Sequence, residues 1–422
     1  MLDKDLAQRL IVEYQDFINN ISFIERDITI DYKGNNVFVG LRRAGKSYLL
    51  YQSVHQLIKN GHKIEEILFF NFEDDRIDGL QISDLDTIKL AYEEMYGTKP
   101  IFFLDEIQIV EHWEKFARRL VDTGYQVFIT GSNAKMLSNE IATTLGGRFY
   151  ITEVFPFSFA EYLKINKVTL PAKWQYTPST SVVRHFNKFF VAGGLPEVIE
   201  KEDKFKREWL SSLFNKIYFS DLLMRYSIRN NRALKVLIRK MAESVMQPVT
   251  YNRIAAIVSA AGFKIKSETA AEYCQYLTDS YLMFAIENYA SKLQDKVSVK
   301  KYYCCDNGFI SLLVTDADTS LLENFVAITL RKKYPDELMY FNANVEVDFY
   351  LPEQKISYQV SYSIKDPATR EREVRALVRL NDYIPQSQMF IITKDEEEII
   401  ETDGCKIKVV PAWKWALGAD NI

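Results

Sequence analysis

The stretch NVFVGLRRAGKS, residues 36 to 47, decides the fold. VFV has the branched and aromatic character of a buried strand. GLRRAGKS, from Gly40 to Ser47, fits G-x-x-x-x-G-K-[ST], and YLLYQSVHQLI behind it has a helical apolar spacing. Strand, glycine loop and helix in that order make a phosphate cradle. Gly40 and Gly45 let the backbone wrap closely. The amides from Arg43 and Ala44 through Lys46, Ser47 and Tyr48 point at anionic oxygens from a helix start. Lys46 is suited to neutralising β and γ phosphates, and the Ser47 hydroxyl to holding Mg²⁺. ATP and Mg²⁺ are therefore the expected ligands.

Working outward, EILFFNFED, IFFLDE and YQVFITGS are further short apolar runs separated by helical text. Strands this uniformly apolar are covered on both faces, so we expect an α/β fold with a parallel sheet. Asp105 and Glu106 close the run IFFLDE. An acid at a strand tip can hold the magnesium shell, and a second acid beside it can take a proton from the attacking water. Asn133 ends the next strand, where an amide can meet the γ-phosphate or the lytic water. Arg148 in GGRF is suited to offsetting charge on a transferring phosphoryl group, in its own subunit or a neighbour's, and equally suited to an ordinary ion pair.

At 422 residues the chain exceeds one compact core. Apolar residues make 47% and charged residues 26%, a globular balance. The start MLDKDLAQRL lacks the apolar core of a signal peptide, and no apolar run is long enough to cross a bilayer, so we expect a soluble, cytoplasmic protein with no membrane partner. The four cysteines, Cys274, Cys304, Cys305 and Cys405, show no C-x-x-C spacing, which argues against a zinc site. The net charge of −4 is unevenly spread. Residues 201 to 310 carry 18 Lys and Arg against 11 Asp and Glu, a surplus of 7, which leaves −11 for the rest. A basic middle is an electrostatic hint of nucleic acid.

Beyond PFSFAEYL the text turns helical. Thr250 can cap a helix carrying Ile254, Ile257 and Val258, and Ser267 a second with Ala270, Tyr273, Cys274 and Leu277 inward. MFAIENY and VKKYYCCD follow as extended segments, which makes a winged helix. From Leu321 a helix precedes LMYFNA, EVDFYL and ISYQVSYS, then a helix from Arg370 and the strand QMFIIT: a third, α/β module.

These pieces taken together, GLRRAGKS, FFNFEDD, FFLDEIQ, FITGSN, GGRF, PFSFAEY, AGGLPEV, YFSDLLMRYSIRN and KKYYCCDNGF, resemble the AAA-like ATPases that carry a DUF4143 C-terminal region. The resemblance implies an ATPase domain over 1–165, a helical lid over 166–240, a winged helix over 241–315 and a PD-(D/E)XK nuclease-like fold over 316–422. It also implies ring or clustered assemblies, a hexamer among them, and DNA as partner. Glu323 and Asp348 match the nuclease pattern, but the strand that would present Glu-x-Lys reads Gln359, Val360, Ser361. Lacking that carboxylate and that lysine, the centre is expected not to cut DNA.

Two functions follow as expectations. One is an ATP-driven motor that remodels duplex or branched DNA, Holliday junctions included, without nuclease activity. The other is a nucleotide-operated switch or assembly factor that binds a protein partner.

Overall fold

The computed structural model describes residues 2–132, 143–176, 179–292 and 298–418. Its contacts divide the chain into two compact units, Met1–Phe155 and Pro156–Ile422.

The first unit is built on five parallel strands, β1 (Asn35–Val39), β2 (Ile67–Asn71), β3 (Ile101–Asp105), β4 (Val127–Gly131) and β5 (Phe149–Glu153), in the order β2-β3-β4-β1-β5. The apolar runs are buried as expected of a covered sheet: β3 and β4 are buried at every position. Helices α1 (Lys4–Asn20), α2 (Lys46–Lys59), α3 (Ile82–Tyr96) and α4 (Trp113–Asp122) supply the cover. In α4, Trp113, Phe116, Ala117 and Leu120 face inward and the intervening charges face out. The topology matters for chemistry because β4 is inserted between β1 and β3, so the strand carrying Asp105 is one strand removed from the strand feeding the glycine loop.

The second unit begins with the helix Phe159–Ile165, capped by Ser158 and Glu161. The sequence alone assigns PFSFAEYL to the ATPase domain. Its aromatic face packs within this unit: Phe159 meets Phe186 edge-on at 5.2 Å, on the helix Thr180–Ala192. A helical stretch leads to helices Asn231–Glu243, Tyr251–Ala260 and Ser267–Asp279, with a three-stranded antiparallel sheet of β6 (Val249–Thr250), β7 (Met283–Glu287) and β8 (Val299–Cys304), the arrangement of a winged helix.

The C-terminal sheet has the order β13-β14-β12-β11-β10-β9, from β9 (Met339–Asn342), β10 (Glu346–Leu351), β11 (Ile356–Val360), β12 (Gln388–Thr393), β13 (Glu398–Thr402) and β14 (Cys405–Pro411). Helix Asp318–Lys333 precedes it, and helix Pro367–Tyr383 joins β11 to the parallel strand β12. Winged helix and C-terminal sheet pack together within this unit. Tyr303 of β8 lies 5.5 Å from Phe349 of β10, and Asn288 bridges to Tyr340.

Two motifs with no evident partner in sequence meet here. Gly194 of AGGLPEV donates its N–H to Asp306 of CCDNGF at 2.7 Å, and Asn307 donates to the Phe190 carbonyl at 2.9 Å. Gly193 has φ 81, and a Cβ there would lie 1.8 Å from Asp306 Oδ1, so the position excludes any side chain.

Candidate nucleotide site

The site sits at the C-terminal edge of the first unit's parallel sheet, where the loop after β1 turns into α2. Gly40 has φ 144, and a Cβ on it would lie 2.3 Å from the Val154 carbonyl oxygen, so only glycine lets the loop pass. Arg43 adopts φ 63 and Gly45, the N-cap of α2, φ 98. The Ala44 carbonyl is held by Arg26. The first amides of α2 lack an i−4 carbonyl and form an anion-binding end.

Lys46 is buried. Its ammonium donates to the carbonyls of Gly40 at 3.2 Å and Leu41 at 3.1 Å, and lies 3.6 Å from Glu106 Oε1. Ser47 Oγ donates to Asp105 Oδ1 at 3.1 Å. Asp105 and Glu106 are both buried. Burial first, and the adjacent Glu106 second, push the Asp105 carboxyl up to about 7. Burial also works against the ionised form of Glu106, but Lys46 beside it, the Gln108 amide and Arg42 outweigh it and hold this carboxyl below its ordinary range. The two acids are thereby set apart: one short of positive charge, one held ionised. Glu106 stands at φ 54, a left-handed kink just past β3 that turns its side chain toward Lys46.

A serine hydroxyl and a carboxylate 3.1 Å apart are hard oxygen donors, and a buried carboxylate short of positive charge welcomes a hard divalent cation. The residues present fit Mg²⁺.

Tyr48 is half exposed on α2, its ring 5.5 Å from Tyr51. Asn133 lies outside the described residues. Arg148 is not brought to the loop of its own chain. Its backbone carbonyl accepts from Asn35 Nδ2 at 3.1 Å and its Nε pairs with Asp122 Oδ1 at 2.8 Å. This is the opposite end of β1 from Gly40, roughly 16 Å away at the rise of an extended strand.

Two residues that sequence reasoning missed hold the site together. Thr130, fully buried on β4, donates to Asp105 Oδ1 and accepts the Glu106 N–H at 2.8 Å, so one hydroxyl fixes both acids. Arg26, buried in the segment after α1, donates to the Ala44 carbonyl at 3.0 Å and the Phe155 carbonyl at 2.8 Å, tying the loop to the chain beyond β5. Thr130 lies in the apolar run FITGS, but its role depends on strand order; nothing in the sequence singles out Arg26.

Residues 33–163 match the family described as an AAA domain, AAA_14. The chain is 33% identical over 433 residues to the uncharacterised protein MJ1544 of Methanocaldococcus jannaschii, covering 99% of this chain and 96% of that one. The chain belongs to that protein's family, and its first unit is an AAA-like P-loop ATPase domain. An uncharacterised protein of Haemophilus influenzae is 28% identical over 387 residues, covering 89% of this chain and 93% of its own. Residues 183–320 match a domain of unknown function, DUF8612, where the sequence motifs led us to expect DUF4143. Among solved structures, the Walker-type ATPase PABY2304 of Pyrococcus abyssi aligns with a TM-score of 0.42 at 14% identity, over 74% of this chain and 96% of that one. The ORC1 protein of Aeropyrum pernix in complex with DNA aligns with a TM-score of 0.28 at 12% identity, over 78% and 94%. No helix among the described residues is long and apolar enough to cross a membrane.

Proposed function

We propose that this chain binds ATP with Mg²⁺ and hydrolyses it at Lys46, Ser47, Asp105 and Glu106. The observation that carries the reading is the pairing of Ser47 with Asp105 at 3.1 Å and of Lys46 with Glu106 at 3.6 Å beside the glycine loop. The α2 amides and Lys46 bind the phosphates, and Ser47 with Asp105 would hold Mg²⁺, which supplies charge neutralisation on the β and γ oxygens. Glu106, held ionised, orients the attacking water and takes its proton at a carboxylate oxygen. Thr130 keeps the two acids in register while Lys46 stays within reach of both loop and acid.

Phosphate release tests it. Lys46→Ala removes the cation that balances the terminal phosphates, so nucleotide binding and hydrolysis should both be lost. Glu106→Gln keeps the shape but removes the base, so ATP should bind and persist. Turnover at the wild-type rate in either variant would place the chemistry elsewhere.

For the output of the cycle two readings have support. The basic surplus of residues 201 to 310 and the winged-helix arrangement support remodelling of duplex or branched DNA by assembled copies, with Arg148 acting across subunits. The pairing of those bases supports the second reading, a nucleotide-operated switch that binds a protein partner. Lys300 pairs with Glu287 at 3.2 Å, Arg239 and Lys240 both pair with Glu243, and the outward positions of helix Ser267–Asp279 are Glu268, Glu272 and Gln275. The second reading has the stronger geometric support. ATPase rates with and without duplex, forked and four-way DNA separate them: stimulation favours the motor, indifference the switch.

A further inference from the structure

The sequence resemblance to nucleases implies a divalent metal held by Asp348, Glu323 and the strand of Gln359 and Ser361. The donor set does not fit one. Gln359 turns its amide N–H to Glu373 at 2.9 Å and accepts the Asp348 N–H at 2.8 Å. Ser361 donates to the Ser363 carbonyl at 2.9 Å, and Asp348 Oδ2 accepts from the Val360 N–H at 2.9 Å. Among the described residues no group of three or more metal-ligating side chains is placed to hold an ion.

The acids nevertheless converge, and what they converge on is an ammonium. Lys301, on β8 of the winged helix, is fully buried. Its Nζ lies 3.2 Å from Glu346 Oε1, 3.3 Å from Asp348 Oδ1 and 3.8 Å from Glu323 Oε1. Glu323 is fixed from the other side by the Tyr303 hydroxyl at 2.8 Å. A hard divalent ion draws its oxygens to about 2.0–2.6 Å. These oxygens stand at ammonium distances instead, around a cation bonded covalently to the chain.

We propose that Lys301 is the resident cation of this centre: its ammonium stands where the resemblance to nucleases would seat a divalent ion, pairs with Glu323, Glu346 and Asp348, and fastens β8 to β10. The cluster is therefore closed to metals by an occupant that cannot dissociate. Burial alone would favour a neutral amine, but the three carboxylates keep Lys301 protonated, so the occupant is cationic across the accessible pH range. The cluster opens onto a cavity of about 1030 Å³ whose other walls carry Arg253, Arg372 and Arg379. The proposal is independent of the nucleotide site, which lies in the other unit.

Mn²⁺ titration of nucleotide-free full-length protein, followed by the electron paramagnetic resonance of free Mn²⁺, tests it with five proteins: wild type, Asp348→Asn, Lys301→Arg, Lys301→Met, and Lys301→Met combined with Asp348→Asn. Removing one positive charge from within 4 Å of the acids should strengthen Mn²⁺ binding about tenfold or more. Lys301→Met should gain a site, the double variant should lose it, and Lys301→Arg should match wild type. Melting curves cover the case in which Lys301→Met folds poorly: Mn²⁺ should raise its melting temperature and leave that of Lys301→Arg unchanged. Two results overturn the proposal. One is an Mn²⁺ site in wild type that Asp348→Asn abolishes; the other is a Lys301→Met chain that neither binds Mn²⁺ better than wild type nor gains stability from it.

Discussion

Replacing Thr130 with Val isolates the contribution of one hydroxyl, because valine fills nearly the same volume on a strand and removes only the oxygen. The Thr130 side chain is fully buried, donates to Asp105 and accepts from the Glu106 N–H at 2.8 Å. Its loss leaves a buried N–H unpaired, a penalty of about 1–3 kcal/mol, and takes a donor from a carboxyl that burial already disfavours as an anion. The melting temperature should fall by several degrees. The larger effect is kinetic. The Glu106 carboxylate depends on a kink at φ 54 that the Thr130 hydroxyl pins, and a displacement of about 1 Å in a reacting group can cost on the order of a hundredfold in rate. We expect kcat for ATP to fall at least about tenfold while nucleotide affinity stays near wild type, since Lys46 and the α2 amides are untouched. Thr130→Ser keeps the hydroxyl and should recover most of the rate, which a packing defect would not. Steady-state hydrolysis, a fluorescent-nucleotide titration and thermal melts read the three quantities. A Thr130→Val protein with wild-type kcat would falsify the positioning argument.

The remaining predictions concern other parts of the chain. Burial raises the Asp306 carboxyl from 3.8 to about 6 against the pull of the Gly194 and Gly308 amides, so the folded state holds the proton more tightly than the unfolded chain. Its contribution to stability is present below pH 3.8 and lost as pH rises to about 6; in urea melts the difference between wild type and Asp306→Asn should move against wild type over that window, and a constant difference would refute the assignment. Arg148→Ala should leave nucleotide binding intact; if Arg148 acts across subunits, its turnover falls and wild-type specific activity rises with protein concentration, whereas concentration-independent activity leaves Arg148 as the partner of Asp122. Should the chain bind duplex DNA, the slope of log affinity against log salt should stay shallow, about −2 or less in magnitude, because each neutralised phosphate contributes about 0.9 and Arg239, Lys240, Lys300 and Lys301 are already paired; a slope steeper than about −5 would show a phosphate footprint outside that set.

The P-loop and the Asp105–Glu106 pair were legible because each lies within one contiguous segment at the tip of an apolar run, where local pattern and site coincide. Thr130 was not, since its role exists only because β4 inserts between β1 and β3, and strand order is a tertiary fact. Arg26 lies in a segment without helix or strand, so no periodicity points to it. Arg148 was offered a catalytic reading in its own subunit or a neighbour's; register keeps it from the loop of its own chain, since Phe149 pairs with Asn35 at the far end of the sheet. VKKYYC was read as an extended segment of the winged helix. Its last four residues, Lys301 to Cys304, are buried on both sides because the C-terminal sheet covers it. The same covering explains why winged helix and C-terminal α/β module, separate in the text, form one unit.

Lys301 and Lys46 show why residue type alone could not have assigned either centre. Each is a buried lysine facing buried or half-buried carboxylates, Lys46 facing Glu106 and Lys301 facing Glu323, Glu346 and Asp348. The difference lies in what else surrounds the ammonium. Lys46 stands on the first turn of a helix whose amides lack carbonyl partners, beside a serine hydroxyl and one carboxyl that burial drives toward the neutral form; positive and negative groups there are arranged around a gap suited to an anion and a hard cation together. Lys301 stands in the middle of a strand whose amides are paired, and the acids around it are each engaged by the ammonium, by Tyr303 or by the Val360 amide. Adding a ligand to the first completes an unbalanced set of charges, whereas adding one to the second must first displace a side chain that cannot leave. On the proposed reading, ligand-dependent chemistry belongs to the P-loop unit, and the same residue types in the C-terminal sheet serve as a fastening.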